Sequence, residues 1–232
     1  MMKIRLASLL TLSAAILWQA PSFAGQIFFS DLVQPGNQYG PDSLGIGHTP
    51  AYMPGDTGES FGATGFTPSA SFRLTSFDIA LGYPALFAPN GPNQADVFLM
   101  SASGGLPGST IESWHLTNLP TTCAPCPLST ITSASNPVLT AGNQYWVVAS
   151  GGPQTFDDWT FTLLGNSFSP LATRNILNGV DSGWGLNSSG RQGALAVSGD
   201  PVPEPTSLAL TFVVLPVIFL VGRRRMFKHC PK

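Results

Sequence analysis

Between its two ends, the chain contains no stretch with a sustained apolar period of 3.6 residues. Short apolar or alternating runs are instead separated by glycine, proline, serine, threonine and asparagine, which is typical of β-strands joined by turns. Residues 25–200 are long enough for one domain of ordinary size with its own core. The pattern predicts an all-β fold, an antiparallel two-sheet β-sandwich of the jelly-roll type.

Several strands can be placed by their patterns. Residues 144–150 (QYWVVAS) are apolar on both faces and predict a central strand. In residues 72–81 the apolar positions change parity near Thr75, which predicts a bulge or bend. The loop 103–108 has Pro-Gly turn chemistry and predicts a hairpin. Further strands are expected within 26–33, 95–101, 110–119, 159–163 and 193–198.

The charge of the predicted β domain (residues 25–200) restricts its partners. The domain has three arginines, no lysine and eleven acidic residues, which give a net charge of −8. Nucleic acid and anionic lipid are repelled by such a surface, so neither is an expected partner.

The N-terminal residues 1–24 have the features of a secretory signal peptide. Lys3 and Arg5 precede a short apolar segment, and Ser22-Phe23-Ala24 places small residues at the cleavage positions. We expect cleavage after Ala24 and export of the β domain.

The C-terminal residues 201–232 predict a membrane segment. Residues 206–221 are uncharged, and as a helix they extend for roughly 24 Å, which is short for a hydrocarbon core of about 30 Å. Because the segment carries no charge, a single, short transmembrane helix is nevertheless expected at about 206–222. The basic residues Arg223, Arg224 and Arg225 follow it and favour a cytoplasmic C-terminus.

The order Pro203-Glu204-Pro205, apolar helix and arginine cluster resembles the PEP-CTERM sorting signal of bacterial surface proteins. The resemblance implies processing by a membrane-embedded exosortase, after which the protein passes to the cell surface or the exopolysaccharide matrix. A plain single-pass anchor is the alternative.

The strand and turn order within residues 66–199 resembles the "choice-of-anchor" domains that precede such surface anchors. It includes DVFLMSASGGLPGSTIESWHL, LTAGNQYWVVAS, DWTF and a closing ALAVSG. The resemblance implies an extracellular β domain and no particular chemistry.

Cys123-Ala124-Pro125-Cys126 is similar to a thioredoxin redox motif, but Pro127 and a β-prone segment stand where that fold has a helix. We predict a loop-pinning disulfide between Cys123 and Cys126, formed in an oxidising compartment. Two cysteines without clustered histidines do not complete a zinc site.

Catalytic patterns are absent from the sequence. There is no G-x-S-x-G, H-E-x-x-H, EF-hand or P-loop pattern. Asp157 and Asp158 could suggest the carboxylate pair of a glycosidase. Adjacent strand residues face opposite sides, however, whereas the two carboxylates of such a pair must flank one bond. We therefore interpret them as a solvated turn before Trp159. Asn90, Asn93 and Asp96 have oxygen ligands suited to calcium, but turn formation explains them equally well. No cofactor is expected.

Four tryptophans lie in the β domain. Trp114, Trp146 and Trp159 occur in strand patterns and are expected in the core. Trp184 stands between two glycines, near Asp181, Asn187 and Arg191, and these four residues form a candidate polysaccharide site. A Trp184 that folds back over the end of the sandwich is the alternative.

These patterns favour an exported, non-catalytic protein of the cell surface or matrix that binds polysaccharide or neighbouring proteins. The alternative is a secreted, glycosidase-like hydrolase on the same scaffold. Exosortase is the expected processing partner, and membrane contact is expected only through the C-terminal helix before processing.

Overall fold

The computed structural model describes residues 25–32, 39–47, 58–84, 91–123, 125–151, 155–162, 170–187 and 191–202. All helices and strands assigned within these ranges are β-strands, and none is a helix, so the all-β prediction is confirmed. None of the described segments forms a helix with the length and apolarity needed to cross a membrane. The predicted signal peptide and residues 203–232, with the predicted sorting motif and arginine cluster, lie outside the described residues.

The described residues form fifteen strands, which are numbered in chain order. They are β1 (Gln26–Ser30), β2 (Tyr39–Gly47), β3 (Glu59–Phe66), β4 (Phe72–Ile79), β5 (Leu81–Gly82), β6 (Gln94–Ser103), β7 (Leu106–Thr117), β8 (Ser129–Thr132), β9 (Val138–Leu139), β10 (Tyr145–Ser150), β11 (Phe156–Thr162), β12 (Leu171–Leu177), β13 (Val180–Asp181), β14 (Gly185–Asn187) and β15 (Leu195–Pro201).

Hydrogen bonds group these strands into three sheets, and the described pairings are antiparallel. A five-stranded sheet has the order β1-β15-β4-β8, and β9 also pairs with β4. A seven-stranded sheet has the order β13-β12-β3-β10-β6-β7, and β14 also pairs with β12. A three-stranded sheet has the order β2-β11-β5.

The predicted central strand is confirmed in β10. All six of its residues are buried, and it pairs with β3 on one side and β6 on the other. A strand with neighbours on both edges and apolar residues on both faces needs cover on both faces of its sheet. The consequence is a second apolar cluster on the far side of the seven-stranded sheet, where the candidate site lies.

The predicted bulge is confirmed in β4. Leu74 pairs with Gly199 and Ser76 with Ser198, so the extra residue at Thr75 has no counterpart in β15. The bulge restores the parity of the apolar positions, because Leu74 and Phe77 are both buried in the same cluster.

The hairpin predicted at residues 103–108 is confirmed between β6 and β7, but its turn differs from the one expected. The turn residues are Gly104 (φ 60°) and Gly105 (φ 80°), whereas Pro107 is already in β7. Two consecutive left-handed residues match the twist of a two-residue hairpin, and glycine adopts them without steric cost.

One apolar cluster is shared by all three sheets. It contains Phe77 and Leu195 from the five-stranded sheet, Val97 and Val147 from the seven-stranded sheet, and Trp159 from the three-stranded sheet. The Trp159 indole N–H donates to the carbonyl oxygen of Ala194 at 3.2 Å, so its one polar atom is also satisfied. This cluster is the main core.

Candidate ligand-binding site

The face of the seven-stranded sheet that points away from the main core is also apolar, and we call it the outer face. Strand alternation places Val97, Leu99 and Val147 in the main core and their neighbours on the outer face. The outer-face cluster contains four buried residues and several half-buried ones: Ala63, Trp146, Val148 and Ala172, with Phe61, Phe98, Met100, Ala102, Leu106 and Trp184 packed against them.

Trp184 reaches the outer face from the segment between β13 and β14. Its ring packs edge-on against Phe61, with centroids 6.2 Å apart and an interplanar angle of 70°. This geometry is one that aromatic pairs favour. Trp184 remains half-buried, so part of its ring is open to solvent.

Hydrogen bonds hold the segment that carries Trp184. Asp181 accepts from the Gly183 backbone N–H at 2.9 Å. Ser182 is tied to the Asn175 backbone in β12 by its own N–H and by its hydroxyl oxygen, at 2.9 and 3.0 Å. Trp184 therefore follows an anchored turn, which reduces the conformational entropy that ligand binding would otherwise cost.

Arg174 and Asp181 form a two-point ion pair beside Trp184. The Arg174 Nε donates to Oδ1 of Asp181 at 2.9 Å and a terminal nitrogen donates to Oδ2 at 2.5 Å. Hydrogen bonds from Arg174 and Gly183 lower the pKa of Asp181 to about 2, and the bond to Asp181 raises the pKa of Arg174. The guanidinium lies over the Phe61 ring, 5.3 Å from its centroid.

These side chains surround a cleft of about 180 Å³. It is lined by Phe61, Phe98, Met100, Thr110, Val148, Arg174 and Trp184. The lining is mostly apolar and aromatic, with one hydroxyl and one guanidinium, which is the usual composition of a small-molecule site.

Acidic groups lie on the same face beside the cleft. Asp96 accepts a hydrogen bond from the His115 ring, with 2.7 Å between Oδ1 and Nδ1. The Ser150 hydroxyl donates to Glu59 at 2.5 Å. Ser150 is opposite both Phe61 and Asp96 in the sheet. The carboxylates of Asp96 and Glu59 therefore lie on the same face as Phe61, at the border of the cleft. The site thus combines an aromatic surface with hydrogen-bond acceptors at its rim.

The four residues of the predicted site are not all brought together. Trp184 lines the cleft, and Asp181 adjoins it through its ion pair with Arg174. Asn187 is opposite Leu171, which faces the other side of the sheet. Arg191 forms an ion pair with Asp42 at 2.8 Å and lies over the Phe161 ring, 5.8 Å from its centroid.

The arginine at the cleft is Arg174 and not Arg191. Nearness to Trp184 in the sequence did not indicate it. Its position follows from the pairing of β12 with β3, which sets Arg174 opposite Phe61. The sequence did indicate that Phe98 and Met100 share a face, because the alternation of β6 places them opposite Val97 and Leu99.

The remaining tryptophans have structural positions. Trp159 and Trp146 are fully buried, and Trp114 is half-buried against the main core. Trp114 also donates to the Thr132 carbonyl at 3.0 Å. The predicted burial of Trp146 is confirmed, and the cluster to which it belongs is that of the outer face.

Cys123 and Cys126 are joined as a disulfide in the structure. Cys126 is fully buried, and its N–H donates to the Thr160 hydroxyl of β11 at 3.1 Å. The loop therefore packs on the three-stranded sheet, where a Cβ on Gly82 would meet the Cys126 sulfur at 3.0 Å. The geometry agrees with a loop-pinning disulfide.

The interpretation of Asp157 and Asp158 as a solvated turn is wrong. Both lie within β11, and Asp157 is fully buried, with no hydrogen-bond partner for either carboxylate oxygen among the described residues. Burial, with a smaller contribution from the charge of Asp158, raises the pKa of Asp157 to about 8. Asp157 is therefore held protonated at neutral pH in the interior, and it does not line the Trp184 cleft.

Of the residues with calcium-type oxygens, Asn93 makes two hydrogen bonds to the backbone of Leu119, at 2.7 and 3.0 Å, and Asn90 lies outside the described residues. Among the described residues, no group of three or more histidines, cysteines or acidic residues is placed to hold a metal ion.

Comparison of the chain with protein-family models, with curated proteins and with solved structures found no match. The chemistry of the cleft itself is therefore the basis for assigning a function.

Proposed function

We propose that this chain is an exported, non-catalytic protein of the cell surface or exopolysaccharide matrix, and that it binds polysaccharide in the Trp184 cleft. The observation that carries the proposal is a half-buried tryptophan over an aromatic cleft on a sheet face outside the main core. Sugar rings present apolar C–H faces and polar edges, so they match an aromatic surface with carboxylate and hydroxyl groups at its border.

The proposed architecture is a two-sheet, jelly-roll-like sandwich. The five-stranded and seven-stranded sheets are its two layers, and the three-stranded sheet extends the same assembly at one side. Support comes from the main core, which draws on one face of each larger sheet, and from contact of the Trp159 ring with the position of Gly62 in β3.

The proposed route to the surface uses the two ends of the chain. Residues 1–24 direct export, the helix at about 206–222 enters the inner membrane, and an exosortase removes it near Pro203-Glu204-Pro205. A disulfide between Cys123 and Cys126 suits the oxidising compartment on this route.

Processing predicts a specific mass. In a host with the exosortase, the intact mass of the surface-exposed protein should correspond to a chain that begins near Gly25 and lacks the residues beyond the Pro-Glu-Pro motif. If the main surface species instead ends at Lys232, the tail is a retained anchor.

Binding without turnover is the test of the function. The exported protein, recovered from the surface fraction, should sediment with the exopolysaccharide of the producing cells and release no reducing sugar on long incubation. Release of reducing ends in proportion to protein concentration would favour the hydrolase. Failure to sediment with the polymer would count against the proposed function.

A further inference from the structure

The charge of the outer face bears on which polysaccharide the cleft can accept. Arg174 is the arginine that lines the cleft, and Asp181 already holds it through two hydrogen bonds. The negative charge of Glu59 also attracts the Arg174 guanidinium. The guanidinium is also stacked over Phe61, so it acts as part of the aromatic wall.

The other described charged groups of this face are mainly acidic. Glu59, Asp96 and Asp181 provide three carboxylates, against Arg174 and the His115 ring beside Asp96. The net charge of the whole β domain is also negative, at −8 for residues 25–200. The arginine that lines the cleft is already paired with Asp181. An anionic sugar there is surrounded by the carboxylates of the same face, Glu59, Asp96 and Asp181.

Distance determines which of these charges matter. At physiological ionic strength the screening length is about 8 Å, so only carboxylates close to the cleft matter. Asp96 and the cleft residue Phe61 are both opposite Ser150, whose hydroxyl donates to Glu59. Like charges repel more strongly near a protein surface than in bulk water, so a carboxylate on the ligand is expected to weaken binding.

The size and lining of the cleft agree with a neutral ring. A cleft of about 180 Å³ is smaller than the roughly 300–1,000 Å³ typical of ligand pockets, which suits a small group such as a single sugar ring. Phe61, Phe98 and Trp184 contribute aromatic surface, and Thr110 contributes a hydroxyl. Such a site gains affinity from C–H faces and hydroxyl groups rather than from ionic contacts.

We propose that the Trp184 cleft selects uncharged sugar units and discriminates against units that carry carboxylate or sulfate groups. This inference rests on the proposed function and specifies its ligand class.

The experiment compares one neutral polymer with its own charged derivative. The neutral fraction of the producing cells' exopolysaccharide is used as prepared, and a second portion is oxidised at its primary hydroxyls to uronic acids. The exported protein should bind the oxidised polymer at least about tenfold more weakly, equivalent to about 1.4 kcal/mol. High salt should reduce the difference, since the repulsion is electrostatic.

Charge-neutralising variants locate the effect. Glu59→Gln and Asp96→Asn should reduce the discrimination between the two polymers. Asp200→Asn is the matched control, because it removes the same charge from β15 of the five-stranded sheet and should leave the discrimination unchanged.

The outcomes separate the two levels of the proposal. Equal or tighter binding of the oxidised polymer, lost in Trp184→Ala, would overturn the selectivity and leave the polysaccharide site intact. Binding of neither polymer, or binding that does not depend on Trp184, would overturn the proposed function as well. Loss of a protein oligomer in Trp184→Ala, without polymer binding by the unchanged protein, would assign the outer face to a protein interface.

Discussion

Replacing Trp159 with alanine is expected to lower the free energy of unfolding by about 3–5 kcal/mol. The Trp159 side chain is fully buried in the main core, and its ring contacts the position of Gly62 in the seven-stranded sheet. Its N–H also bonds to the carbonyl of Ala194, the residue before β15. Alanine would leave a cavity where all three sheets meet, and a domain's total stability is only about 5–15 kcal/mol.

Chemical denaturation of the exported protein measures this effect. Trp159→Phe is the matched control, because it retains an aromatic ring and loses the bond to Ala194; it should cost about 1–2 kcal/mol. A loss of less than about 1 kcal/mol in Trp159→Ala would show that this residue does not join the sheets as described.

Replacing Asp157 with asparagine is expected to remove a large pH dependence of stability. Burial raises the pKa of Asp157 from 3.8 to about 8. Between pH 4 and pH 8 the unfolded chain loses this proton while the folded chain keeps it, so stability falls as pH rises. At about 1.36 kcal/mol per pKa unit, the full difference is on the order of 5 kcal/mol.

The measurement compares unfolding free energies of Asp157→Asn and the unchanged protein at pH 5 and pH 8. The variant should gain stability relative to the unchanged protein by several kcal/mol over this interval. Asp31, whose pKa burial also raises to about 8, is present in both proteins, so its contribution cancels. Asp42→Asn is the control, because Asp42 pairs with Arg191 at the surface and such pairs are worth about 0–1 kcal/mol. Parallel pH profiles for Asp157→Asn and the unchanged protein would contradict the burial of this carboxylate.

The strands were largely accessible to sequence reasoning, because their signals are local. The alternation of Val97 and Leu99 against Phe98 and Met100, and the doubly apolar segment 144–150, depend only on neighbouring residues. The parity change near Thr75 likewise needed only the local pattern.

The pairing of the strands was not accessible in the same way. β3 lies between β10 and β12, each of them distant in the sequence, and no local pattern specifies such neighbours. This pairing decides which arginine accompanies Trp184, so the sequence indicated the tryptophan and Asp181 but missed Arg174 and Phe61.

Buried polar groups were the other omission. The sequence pattern does not distinguish a buried carboxylate in a strand from a solvated one in a turn, which explains the wrong interpretation of Asp157. Glu112 is half-buried, and the sequence did not indicate its partners either. It accepts hydrogen bonds from Ser133, Ala134 and Ser135 at 2.6–3.1 Å. Burial acts to raise the Glu112 pKa, but these bonds outweigh it and lower the pKa.

The most direct test of the polysaccharide site is the affinity of Trp184→Ala for the exopolysaccharide of the producing cells. Loss of this aromatic anchor should cost at least about 2 kcal/mol of binding free energy, or roughly 30-fold in Kd. Leu186→Ala is the matched control, since Leu186 is an exposed apolar residue two positions along that does not line the cleft. It should bind normally, and the unfolding free energy of Trp184→Ala should fall much less than that of Trp159→Ala. Unchanged affinity in a folded Trp184→Ala protein, or unfolding of the domain by this substitution, would contradict the proposed site.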